Sequence, residues 1–200
     1  MVDLDPIVKM LVDIRCDSDA TGTNNARHSC AIFHKKNKSN THILSTGMNH
    51  DSYKHIINTG CSKCYNRNLS INDRGIHAEK MAMEKLYPRK NKKIINVSLI
   101  VIRISKKSTI SSYTLNNSRP CANCVNDIYE CSNRGYRITK IYYSNTLGNI
   151  TCFKLRDLIV QPQRLSKYYR ATNIPIKLQK KYQFYNKEDE KCQLNLNKLY

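Results

Sequence analysis

The sequence predicts an α/β protein, because segments with apolar residues at helical spacing alternate with short runs rich in β-branched and aromatic residues. Its 200 residues suffice for one domain with a sizeable core. It contains no internal repeat and no low-complexity linker. No apolar run approaches the ~18 residues of a membrane span, and the first residues lack the basic and apolar regions of a signal peptide.

An amphipathic helix is predicted near the start of the chain. It begins at Asp5, which is followed by a proline, and ends near residues 17–19. The helix and its flanks carry five acidic residues against Lys9 and Arg15, so the positive charge of the chain lies elsewhere. We expect this helix to cover one face of a sheet.

Two strands are predicted next, over residues 29–34 and 42–47. The basic turn at residues 35–40 joins them into a hairpin.

A second amphipathic helix follows His77 and ends before Pro88. Residues 87–93 form a basic loop, which serves either as a solvated turn or as a contact to a phosphate backbone. The run from Val97 to Ile104 is strongly apolar and predicts a buried strand.

A third helix is predicted from about Cys121 to residues 133–135, with Cys131 facing the core. Two further strands are predicted, Ile138 to Tyr143 and Ile150 to Leu155. Their six-residue link is too short for a crossover helix, so they should be antiparallel.

Two short motifs carry candidate chemistry: His-x-Glu at His77 and Glu79, and Pro-Cys-x-x-Cys at Pro120, Cys121 and Cys124. Either motif alone occurs by chance. In this order they form the signature of zinc-dependent base deaminases. A catalytic zinc keeps three protein ligands and leaves one position for water, which the metal activates. His77, Cys121 and Cys124 would be the ligands, and Glu79 the general acid/base.

The spacing of these residues agrees with that chemistry. Cys121 and Cys124 are three apart, so in the first turn of a helix both thiolates point the same way. The N-terminal end of the helix favours the thiolate forms. His77 and Glu79 are only two apart, so His77 must lie at the start of its helix for both to reach one pocket.

The sequence resembles the cytidine and deoxycytidylate deaminase superfamily over about residues 29–158. The resemblance implies a three-layer α/β/α sandwich around a five-stranded mixed sheet. It also implies hydrolytic deamination of a cytosine-containing nucleoside or nucleotide to its uracil form, with release of ammonia. The antiparallel C-terminal strands are more similar to the cytidine deaminase branch than to the tRNA-adenosine branch.

The resemblance also implies substrate contacts. Asn49 matches the asparagine of a strand ending in Gly-x-Asn that contacts the sugar or base, although it could be an ordinary loop residue. Tyr142 matches a base-stacking tyrosine of nucleic-acid-editing relatives, but tyrosine is abundant here, with 13 residues. Ala78 and Ser118 are assigned to substrate binding in the same way.

The stretch between Asn49 and His77 resembles an insertion. It contains His50, His55, Cys61 and Cys64, which could complete a second, closed zinc site. Free thiols and surface histidines are the alternative and are favoured by the irregular spacing.

The net charge of +19 is informative about binding partners and solubility rather than about the fold. It is consistent with contact with DNA or RNA, or with a composition shaped by an AT-rich genome such as that of a large DNA virus.

We expect residues 1–28 to form an N-terminal helix and lead-in, 29–160 the deaminase domain and 161–200 a basic, tyrosine-containing extension. Nine cysteines without a secretion signal favour a reducing compartment: cytoplasm, nucleus, virus factory or virion.

Two rival functions remain open. The first keeps the chemistry but acts on cytosine in single-stranded DNA or RNA, although the chain lacks the tryptophan that such editors often place before Pro-Cys. The second is a non-catalytic nucleic-acid-binding or packaging protein on the same fold. A homo-oligomer is expected by analogy with the family, and no membrane contact is expected.

Overall fold

The computed structural model describes residues 3–18, 27–35, 41–49, 76–89, 93–105, 111–162 and 164. The helices are α1 (Asp5–Ser18), α2 (Ala78–Lys85), α3 (Ala122–Glu130) and α4 (Leu155–Ile159). The strands are β1 (Arg27–Lys35), β2 (Thr41–Met48), β3 (Ile95–Ile104), β4 (Leu115–Asn116), β5 (Tyr136–Ser144) and β6 (Ile150–Lys154). Within these described ranges, no helix has the length and apolar character to cross a membrane.

The strands form one mixed sheet in the order β2-β1-β3-β5-β6, with the short β4 paired to the end of β3. Among the described strands, β3 and β5 form the parallel pair, and the other pairs are antiparallel. The prediction that β5 and β6 are antiparallel is confirmed. The five-stranded mixed sheet is confirmed as the main path, to which β4 adds a sixth strand.

Helices cover both faces of the sheet, because side chains along each central strand alternate between two cores. In β1, Ala31 and Phe33 pack against α1, whereas Cys30 and Ile32 face the side covered by α2 and α3. The predicted α/β fold with three layers is therefore confirmed, as is the expectation that α1 covers one face.

The predicted elements are found with bounds that differ by a few residues. The cysteine helix continues into a 3₁₀ turn, Cys131–Arg134, and ends at Gly135, whose φ of 85° favours glycine. Cys131 is buried, as expected. The turn at 36–40, the four candidate ligands between residues 50 and 64 and most of the C-terminal extension lie outside the described residues.

Gly47 lets α2 pack directly on β2. A Cβ at this position would overlap the Ala78 carbonyl oxygen and lie 2.5 Å from the Ala82 backbone nitrogen. The missing side chain thus sets how closely α2 approaches the sheet, and with it the position of His77 at the start of α2.

Candidate functional site

His77, Cys121 and Cys124 meet in one cluster, although they come from two helices. Their nearest ligand atoms all lie within 4.8 Å of one another. His77 Nδ1 is 3.1 Å from Cys124 Sγ and 3.6 Å from Cys121 Sγ. We call these three side chains the metal cluster.

Both helices point their N-terminal ends at the metal cluster. His77 is the N-cap of α2 and Cys121 the N-cap of α3, each with extended backbone. Cys124 lies in the first turn of α3 and is buried. Because a helix N-terminus carries partial positive charge, this arrangement favours a thiolate at Cys121. The expectation that His77 starts its helix is confirmed.

The donor set fits a zinc ion. With Zn–S near 2.3 Å and Zn–N near 2.0 Å, a tetrahedral site separates sulfur from nitrogen by about 3.5 Å. The distance from His77 Nδ1 to Cys121 Sγ, 3.6 Å, is close to this separation, and the 3.1 Å distance to Cys124 Sγ needs to open by a few tenths of an ångström. One imidazole and two thiolates leave a fourth position, as in catalytic rather than structural zinc sites.

Without a bound metal, the pKa values of the three side chains in the metal cluster shift in different directions. Hydrogen bonding from Cys124 lowers the pKa of Cys121 to about 4, although burial opposes this shift. Hydrogen bonding to Cys121 raises the pKa of His77 to about 9, and the bond to Cys121, together with burial, raises the pKa of Cys124. A metal ion requires both thiolates and a neutral imidazole, so metal binding would expel protons from His77 and Cys124.

Glu79 lies beside the metal cluster but is not part of the metal-capable group. Its side chain is buried, with 5% exposure, in the first turn of α2. Burial raises the pKa of Glu79 to about 7, and the charge of His77 partly opposes that shift. A carboxyl group with such a pKa can both accept and donate a proton near neutral pH.

Ser118 connects the loop before Cys121 to β3 and β5 through hydrogen bonds. Its hydroxyl donates to the Val101 carbonyl at 2.8 Å and accepts from the Ser144 backbone N–H at 2.9 Å. The Ser118 backbone N–H donates to the Ser144 carbonyl at 2.8 Å. Ser118, assigned above to substrate binding, thus uses its buried hydroxyl within the protein.

We expect Ser118→Ala to lower the free energy of unfolding by about 1–3 kcal/mol, because it leaves buried partners at Val101 and Ser144 unpaired. It should also weaken zinc binding, since the loop that carries Cys121 loses its anchor. Denaturant unfolding and zinc titration measure the two effects. Ser132→Ala, which removes an exposed serine hydrogen bond, is the matched control and should change neither. An unchanged zinc affinity in Ser118→Ala would show that the network does not position Cys121.

Asn49 directly follows β2. Its side-chain oxygen accepts from the His28 backbone N–H at 2.7 Å, and its carbonyl accepts from Arg15 at 3.4 Å. With that oxygen engaged, any contact from the Asn49 side chain to a ligand would come from its NH₂ group.

Ala78 and Tyr142 lie in different surroundings. Ala78 is the first residue of α2, next to His77, and its backbone N–H has no partner within the helix. Tyr142 packs against Phe33, with ring centroids 5.9 Å apart, in the core beneath α1. The structure therefore brings Ala78 to the metal cluster and places Tyr142 on the opposite face of the sheet.

Two neighbours of the site were missed by sequence reasoning. Asp127 follows Cys124 by one turn of α3, and its charge contributes to the raised pKa of His77. Its i+3 spacing from Cys124 was the available signal. Asn123 has a buried side-chain oxygen for which the described residues supply no partner.

No protein-family model and no curated protein matches the sequence. Among solved structures, the chain is similar to a cytidine deaminase from Burkholderia pseudomallei at 12% identity. The similarity covers 74% of this chain and 93% of that one, with a TM-score of 0.38.

Proposed function

We propose that the protein is a zinc-dependent hydrolytic deaminase acting on a cytosine-containing nucleoside or nucleotide. One observation carries the proposal: a buried carboxyl group, Glu79, lies against a His-Cys-Cys metal cluster without belonging to the ligand set. A structural zinc site would have four protein ligands and no need for such a group.

In this proposal His77, Cys121 and Cys124 would hold the zinc, which when bound would supply a water of lowered pKa. Glu79 takes a proton from the attacking water and delivers protons to the ring nitrogen and the departing amine. A carbon–oxygen bond forms at the amino-bearing carbon, the carbon–nitrogen bond breaks, and ammonia leaves. The products are the uracil compound and ammonia.

We propose two substrate contacts. The Asn49 NH₂ and the Ala78 backbone N–H are donors suited to the oxygens of a sugar or a pyrimidine base. We leave Tyr142 out of this site because its ring packs in the core beneath α1.

Metal removal tests the proposal. Zinc-loaded protein should convert deoxycytidine monophosphate or cytidine to a product heavier by about one dalton, as amine is replaced by oxygen. Chelation should abolish turnover, and added zinc should restore it. The measurement is mass spectrometry of the product together with zinc content.

Cys121→Ala should lose both zinc and turnover, whereas Cys152→Ala, which removes an exposed thiol outside the metal cluster, should retain both. Turnover by a zinc-free Cys121→Ala protein would refute the proposal. A parallel reaction with a cytosine-containing single strand of DNA or RNA tests the substrate class. Conversion of the strand but not of the free nucleotide would mean that the substrate is a polymer.

A further inference from the structure

The chain returns to the start of α3 after it leaves α4. Leu158 of α4 is fully buried in the same core as Val125 and Ile128 of α3, so α4 packs beside α3. Residues 161, 162 and 164 follow α4, and they form hydrogen bonds with the loop before α3 and with its first residue. We call these three residues the post-α4 segment.

Arg119 forms the first of these contacts. One nitrogen of its guanidinium, Nη2, donates to the Gln161 side-chain oxygen at 2.9 Å and to the Pro162 carbonyl at 3.3 Å. The Arg119 backbone N–H donates to the side-chain oxygen of Asn117 at 3.0 Å, which orients the backbone from which the guanidinium extends. The guanidinium therefore connects the post-α4 segment to the position two residues before Cys121.

The second contact is a backbone hydrogen bond on the other side of Cys121. The Ala122 N–H, at the first position of α3, donates to the Arg164 carbonyl at 2.8 Å. The first backbone N–H groups of a helix have no acceptor within the helix, and this carbonyl supplies one. The post-α4 segment thus contacts the chain both before and after Cys121, a member of the metal cluster.

We propose that Arg119 is a positioning residue for metal binding, because it holds the post-α4 segment against the backbone on both sides of Cys121. The inference rests on the metal site of the proposed function but not on the deamination reaction. Loss of a residue that orients a metal ligand typically weakens metal binding by about 10- to 100-fold. Ser118 connects the same loop to the sheet, and Arg119 connects it to the chain after α4.

Zinc titration of the full chain tests this inference, with cobalt(II) as a second probe whose visible absorption reports tetrahedral coordination by thiolates. Arg119→Ala should weaken the binding of both metals about 10-fold and change the cobalt spectrum. Removing a positive charge alone would strengthen the binding of a cation, so weaker binding identifies the lost contact and not the lost charge. Arg119→Lys should retain most of the affinity, because an ammonium group has three donors for the same two oxygens.

Gln161→Ala removes the partner of Arg119 without a change of charge and should weaken metal binding about fivefold. The double variant Arg119→Ala/Gln161→Ala should bind metal no more weakly than Arg119→Ala, because both substitutions remove the same hydrogen bond. Arg137→Ala is the matched control. It removes an exposed arginine of β5 and should change neither the affinity nor the spectrum. Circular dichroism melting of the metal-free variants checks that each is folded.

Two results would overturn the inference and leave the proposed function intact. The first is an unchanged metal affinity in Arg119→Ala while the wild-type chain binds metal. The second is a double variant whose loss is the product of the two single losses, because the two residues would then not act through one contact. A wild-type chain that bound neither metal would overturn this inference and the proposed function together.

Discussion

Replacing Glu79 with glutamine is expected to lower turnover by about 10²- to 10⁴-fold while the protein keeps its zinc. The amide retains the size of the side chain but can neither accept nor relay a proton. Since Glu79 lies outside the metal-capable group, the three ligands should hold the metal as before. Steady-state kinetics together with zinc content per chain measures the two properties separately.

Glu84→Gln is the matched control for this substitution, because Glu84 lies on α2 but outside the metal cluster. It should retain full turnover. If Glu79→Gln also lost zinc, Glu79 would be a ligand or a support of the ligands and not the proton carrier. If it retained turnover, the proposed chemistry would be wrong.

Gly47→Ala should disrupt the metal cluster although Gly47 is not one of its residues. The added methyl group would collide with backbone atoms of Ala78 and Ala82, and backbone cannot rotate away as a side chain does. We expect α2 to move outward, a loss of about 1–3 kcal/mol in the free energy of unfolding, and much weaker zinc binding because His77 moves with α2. Denaturant unfolding and zinc titration measure these effects.

Ser45→Ala provides a close control, since Ser45 lies two residues earlier on β2 and faces the same side of the sheet. Its buried hydroxyl finds no partner among the described residues, so its removal should be nearly neutral. An unchanged zinc affinity in Gly47→Ala would mean that the approach of α2 to β2 does not set the position of His77.

The positions of His77 and Cys121 at helix starts were predictable from local spacing. That these side chains meet with Cys124 in one cluster was predictable only from the order of the two motifs, which resembles the deaminase signature. Short-range spacing also predicted the order of the three longer helices and the five longer strands, whereas the short β4 and α4 were not predicted.

The side on which Tyr142 lies could not be predicted, because a β-bulge changes the alternation of β5. The pairing of β3 with β5 shifts register after Ile138, so Ile138 and Ile141 share one core although they are three residues apart. Tyr142 is thereby turned to the other face. The hydrogen bonds of Ser118 could not be predicted either, because its partners at Val101 and Ser144 are distant in sequence.

The parallel pairing of β3 and β5 also bears on how the protein folds. The Cys121 and His77 atoms that meet in the metal cluster are 44 residues apart along the chain, and a long loop must close before they meet. Parallel pairing of distant strands is intrinsically slow. If the metal cluster holds zinc as proposed, zinc binding would report that the starts of α2 and α3 have come together, whereas in small zinc fingers the metal itself drives folding.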